Sequence, residues 1–162
     1  DNGAQEIMWK GSRRMTGARM FAMPHLRPVR IKTGALGVAR PDEELLVSPS
    51  HCMLIQGPEA IALFNTPEIL VAAKDLINGT TITVDVTVSE VTYIHMLLPD
   101  HQILWANGVE TESFHPAIAT LSVLDAADLA QFPDLEHDPH TYGSYARRNL
   151  SATVAAIFNH AA

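Results

Sequence analysis

The sequence predicts a mainly β domain: a twisted, folded-over sheet or barrel of short strands, followed by a small helical appendage. Three observations carry this prediction. Short β-branched and aromatic runs fill the first two thirds of the chain, each closed by Gly, Pro or Asn/Asp turn chemistry. One of them, residues 80–88, alternates polar and apolar side chains with the two-residue period of a half-buried strand. No helical pattern of about 10 to 15 residues separates the runs, as a βαβ array would require.

In chain order, a strand over 6–9 follows Asp1-Asn2-Gly3, and a second over 28–32 runs into Thr33-Gly34. Residues 44–47 and 52–55 form two more, the latter stopped by Gly57-Pro58. In 80–88, Ile82, Val84, Val86 and Val88 fall on one face. Runs over 91–98 and 102–106 are broken by Pro99-Asp100, and Asn107-Gly108 is a strong hairpin signal, so this region reads as a β-meander. Helical character comes late: 117–129 is apolar with Asp125 and Asp128, and 144–158 spaces Tyr145, Leu150, Val154, Ile157 and Phe158 near a 3.6-residue period. Pro133 and Pro139 within a charged stretch make 132–140 a linker. The expected organisation is a β core over 1–116 and a helical extension over 117–162. The core is read as truncated at its N-terminus because the chain opens on Asp1 rather than Met.

Composition excludes several classes of function. At 162 residues with 47% hydrophobic and 18% charged side chains, the chain can build a core without staples. A formal charge of −7 argues against a nucleic-acid partner, whose phosphates need Lys and Arg. The small basic groups at Arg13-Arg14, Arg27/Arg30/Lys32 and Arg147-Arg148 read as solvated faces. Cys52 is the single cysteine, so no intrachain disulfide exists. No apolar run of about 18 residues is present to span a bilayer. Residues 34–37 lack the third glycine and following helix of a dinucleotide loop, and no nucleotide or other cofactor is implied.

The chemistry-bearing residues begin with Ser48 and His51, a hydroxyl three positions before an imidazole between two strand-like runs. Imidazole titrates near neutrality and can protonate a leaving amide nitrogen. The bland account is that Ser48-Pro49 starts a turn and His51 is a satisfied strand-end residue. Cys52 adjoins His51, but consecutive strand residues point to opposite faces, so a buried, inert thiol is expected rather than a Cys-His dyad. His95 and His101 are further imidazoles, for proton transfer or, with His51, a three-nitrogen metal site, although no metal-ligand spacing motif occurs. Glu112-Ser113 and His115 read as an exposed polar loop after the hairpin.

Several blocks of the chain resemble bacterial Hedgehog/intein (Hint) domains. Residues 1–11 look like the region after the first block, 26–37 and 46–51 like the approach to and body of the hydroxyl-x-x-His block, and 91–95 through 101–108 like the late block. Residues 142–150 resemble a helical tail attached to bacterial members. The resemblance implies a horseshoe-like β fold and self-processing. In that chemistry an N-terminal Cys or Ser attacks its own preceding carbonyl to give a thioester or ester, and the block histidine protonates the scissile nitrogen. Carried over, His51 is that acid and Ser48 its hydroxyl partner, while His95 and His101 match the late block. Ile94 stands where an Asp often follows the late-block Tyr. The reaction partner is the chain's own N-terminal flanking polypeptide, in cis. The nucleophile block is expected upstream of Asp1, which makes the isolated fragment silent. Splicing members end the late block in His-Asn, whereas Ala106-Asn107-Gly108 runs on here, so N-terminal cleavage or transfer is implied rather than splicing. The alternative is a non-catalytic Hint scaffold serving as a binding or attachment module of a secreted or surface protein.

Overall fold

A computed structural model describes residues 2–117 and 142–150, and within them the chain is mainly β. The strands are β1 (Trp9–Thr16), β2 (Val29–Ile31), β3 (Leu45–Val47), β4 (Cys52–Gln56), β5 (Glu68–Ala72), β6 (Ile82–Val84), β7 (Glu90–Leu97), β8 (Ile103–Ala106), β9 (Val109–Glu112) and β10 (Arg148–Asn149). Two short helices interrupt them, α1 (Gly17–Ala22) and α2 (Pro58–Phe64). No described helix is long and apolar enough to cross a membrane.

The strands form three sheets: a β1–β7 ribbon, a five-stranded sheet in the order β10-β5-β4-β9-β8, and a three-stranded sheet in the order β3-β2-β6. Val29, Ile31 and Val47 of the three-stranded sheet pack on Met53, Ile55, Ile69, Val71 and Val109 of the five-stranded sheet, with Phe64 of α2 and Leu150 closing the cluster. Cys52, Leu54 and Leu70 cover the opposite face of β4 and β5. Buried on both sides, these two strands read as unbroken apolar runs. The ribbon joins the five-stranded sheet where the Phe114 N–H donates to the Met96 carbonyl at 2.8 Å.

Local chemistry explains the elements. Asn107 and Gly108 both take positive φ, 46° and 70°, the two-residue hairpin turn that matches strand twist between β8 and β9. On β1 a Cβ at Gly11 would lie 2.1 Å from the Trp9 ring, so the glycine leaves the space into which the indole folds. Thr16 caps α1, its hydroxyl accepting from the Arg19 N–H. Pro58 starts α2, and Asn65 ends it in the left-handed conformation.

Four expectations change. The first strand is Trp9–Thr16, not 6–9, and pairs along its whole length with β7. The alternating run 80–88 holds strand only over Ile82–Val84, because Asp85 Oδ1 captures the N–H groups of Thr87 and Val88 and ends the ladder. Helix also appears early, as α1 and α2. Within 144–158, the described residues contain β10, parallel to β5, rather than helix; the remainder, the 118–129 part of the other expected helix and the 132–140 linker lie outside the described residues.

Candidate functional site

The Ser48–His51 spacing is the spacing of a β-turn. The His51 N–H donates to the Ser48 carbonyl at 3.0 Å, with Pro49 at the position where its fixed φ suits the turn. The turn is pinned from the side, since the Lys74 and Ala73 N–H groups donate to the Pro49 and His51 carbonyls, each at 2.9 Å. His51 is therefore set by its backbone at the head of β4, one residue before Cys52.

Across the sheet, β9 places Thr111 opposite Met53 of β4. The Thr111 hydroxyl donates its single proton to the Cys52 carbonyl at 3.0 Å, so the short contact between Thr111 Oγ1 and His51 Nε2 is a bond in which the ring donates. Nε2 thus carries the proton, and Nδ1 is left without a hydrogen-bond partner among the described residues. Burial pushes the imidazole pKa below its ordinary 6.5, partly offset by the Glu112 carboxylate, while His101 acts in the same direction as burial.

Glu112, 5% exposed, lies behind this pair. Its Oε1 accepts the Cys52 N–H at 2.8 Å, and its Oε2 lies 3.3 Å from His101 Nε2. His101 is wholly internal: Nδ1 accepts the Ala146 N–H at 2.9 Å, and Nε2 donates to the Ser113 carbonyl at 3.1 Å. Cys52 is 1% exposed, and burial first, then Glu112, pushes its thiol pKa far up, which keeps it protonated.

Of the residues singled out from sequence, Ser48, His51 and His95 line one cavity of about 410 Å³. Its walls include Leu45, Val47, Tyr93, Trp105 and Phe114, with Thr111, Glu112 and His115 among its polar lining. His95, on β7, stands edge-on to Phe114 with ring centroids 5.2 Å apart. His101 does not line the cavity; it sits behind Glu112 with both nitrogens engaged. No group of three His, Cys, Asp or Glu side chains among the described residues converges as metal ligands. Glu112, Ser113 and His115 are not an exposed loop: they are 5%, 1% and 2% exposed, carried inward by β9 and its continuation beside β7. Thr111 went unnoticed in the sequence, where the one available signal was a Thr-Glu-Ser-Phe-His run directly after a hairpin.

The described residues thus place a half-bonded imidazole on the wall of a mostly apolar cavity, set by a hydroxyl-x-x-His turn in a β fold of short strands. A family model of the Hint domain matches residues 1–118, and the chain belongs to that family. No curated protein and no solved structure matches it.

Proposed function

We propose that this chain is the processing core of a self-cleaving Hint domain, which activates the peptide bond preceding a nucleophile that lies upstream of Asp1. The observation that carries the reading is His51: Nε2 is held by Thr111, while Nδ1 remains available on a cavity wall shared with Ser48. In the reaction an upstream thiol or hydroxyl loses its proton to solvent and attacks the carbonyl before it. The C–N bond breaks as the protonated His51 delivers its Nδ1 proton to the departing nitrogen, leaving a thioester or ester and a free amine. Solvent then reprotonates the ring. A lowered pKa makes the imidazolium a readier donor. The Ser48 carbonyl holds the turn that aims the histidine.

Restoring the natural upstream sequence and following thiol-induced cleavage by intact mass tests this. The wild-type precursor should cleave, and His51→Ala should slow cleavage by about 10²–10⁴-fold. No cleavage in the restored wild type, or equal cleavage in the variant, overturns the reading. A non-catalytic binding module is the second reading, favoured by Trp105 and Ile94, which are 69% and 60% exposed and line the same cavity. It predicts that substitutions at Ser48 and His51 leave the function intact.

A further inference from the structure

The face that β1 turns inward carries an arginine. Burial alternates along the strand, so Trp9, Gly11, Arg13 and Met15 point the same way, and Trp9 and Met15 are 7% and 1% exposed. Arg13 stands opposite Tyr93 of β7, and both line the cavity that His51 lines. We propose that this cavity is a binding site for a small apolar carboxylate, whose anionic head pairs with the Arg13 guanidinium and whose alkyl body lies along the apolar walls.

Arg13 differs from Arg30 and Arg40, half-buried like it, in having no anion. Arg30 is ion-paired with Asp85 and Glu44, and Arg40 with Glu110. Even Arg14, its neighbour on the outward face, is ion-paired with Glu90. Arg13 makes no side-chain hydrogen bond or ion pair among the described residues. Partial burial, and after it the like charge of Arg19 on α1, push its pKa down, and no carboxylate acts in the other direction. The chain has 18 acidic residues, so the missing partner is a matter of placement rather than supply. A guanidinium turned into a cavity needs an anion to offset what it loses in leaving water.

The cavity, about 410 Å³, is of a size that accepts a small molecule. Arg13 is the only Lys or Arg among the described residues that line it, so it marks one charged end. Met15, Leu26, Leu45 and Tyr93 supply apolar wall, and Ile94 and Trp105, 60% and 69% exposed, stand where it opens to solvent. The polar groups of the lining are engaged elsewhere. Glu112, its one acid, accepts the Cys52 N–H and is not ion-paired with Arg13. Thr111 and His51 bond to each other, and His95 packs edge-on against Phe114. One guanidinium presents two parallel N–H donors, which match a single planar carboxylate. Binding of this kind needs neither cleavage nor any residue upstream of Asp1.

Calorimetric titration of the 162-residue chain at about pH 7.5, where an alkyl carboxylate is ionised, tests the site. Octanoate should bind saturably, several-fold tighter than octanol, and shift the emission of Trp105 to shorter wavelength. Acetate, which has the head without the body, should not bind. Arg13→Gln should weaken octanoate by about tenfold, the effect expected of one charge-assisted hydrogen bond, while octanol binds the variant as it binds the wild type. Arg14→Gln removes the same charge from the outward face and should leave the octanoate affinity unchanged. No saturable octanoate binding, equal affinities for octanoate and octanol in the wild type, acetate binding as octanoate does, or equal losses in the two arginine variants each overturns the proposal. If Arg13→Gln fails to fold, the comparison of octanoate with octanol on the wild type decides alone.

Discussion

His51 lines a cavity together with Glu112, His101 stands 3.3 Å from the same carboxylate, and the fold uses the two rings differently. His101 gives both ring nitrogens to protein groups, the Ala146 N–H and the Ser113 carbonyl, and lies away from the cavity. His51 gives one nitrogen to Thr111 and lines the cavity. An imidazole bonded at both ends is a brace, because changing its charge would break a bond that the fold needs. One bonded at a single end keeps its orientation and can still exchange a proton. The difference is imposed by chain segments rather than by the rings: the brace exists because residues 142–150 return to the β core, where Leu150 enters the main cluster and Tyr142 donates to the Leu98 carbonyl at 2.8 Å.

Stability should separate the two most widely. His101→Ala removes a ring that is wholly buried and leaves the Ala146 N–H, the Ser113 carbonyl and Glu112 Oε2 without it, so a loss of about 3 kcal/mol is expected. His51→Ala removes one hydrogen bond at a partly open wall and should cost about 1 kcal/mol or less. Urea unfolding of the two variants checks this, and equal losses would break the comparison.

Thr111→Val probes the single bond that makes His51 half-bonded. It deletes the acceptor for Nε2 and the donor to the Cys52 carbonyl while keeping the shape of the side chain. Ring 15N shifts should then report a mixture of the two neutral tautomers, and cleavage in the restored precursor should fall by about tenfold. Stability should drop by about 1–2 kcal/mol. A single unchanged tautomer would show that something other than Thr111 orients the ring.

How much of this was legible in the sequence depended on whether the signal was local. The β8–β9 hairpin was readable because Asn-Gly is what its turn demands, and β4 because a strand buried on both faces is apolar throughout. The Ser48–His51 pair was readable because a spacing of three is a β-turn. The run 80–88 misled because alternation is an argument about burial: Val84 and Val86 are 43% and 71% exposed, and the side chain of Asp85 outcompetes the ladder. Helices α1 and α2 are too short to show a period. In the site, Glu112, Ser113 and His115 are polar yet buried, so polarity suggests a loop where the structure has an interior. The partner of His101 is Ala146, whose contribution is a backbone N–H that no side-chain pattern announces.

The smallest expected effect is a pH dependence, and its sign follows from where His51 titrates. Its folded pKa lies below the ordinary 6.5, so near that pH the unfolded chain binds a proton that the folded chain refuses. The stability this neutral imidazole contributes is fully present above about pH 6.5 and is lost as pH falls from there through the lower, folded value. His51→Gln removes the group from both states. The stability difference between wild type and variant should therefore move against the wild type between about pH 7.5 and about pH 5, measured as urea midpoints with all other titrating groups held in common. Asp85 does not intrude on that window. Burial pushes its carboxyl up, but the N–H groups of Val88 and Thr87, the Thr87 hydroxyl and Arg30 outweigh it and hold it at about 2, so its contribution is lost only as pH falls from the ordinary 3.8 toward that value. Parallel curves for wild type and His51→Gln would mean that the fold does not hold His51 neutral, and the distinction between brace and proton carrier would have to be drawn elsewhere.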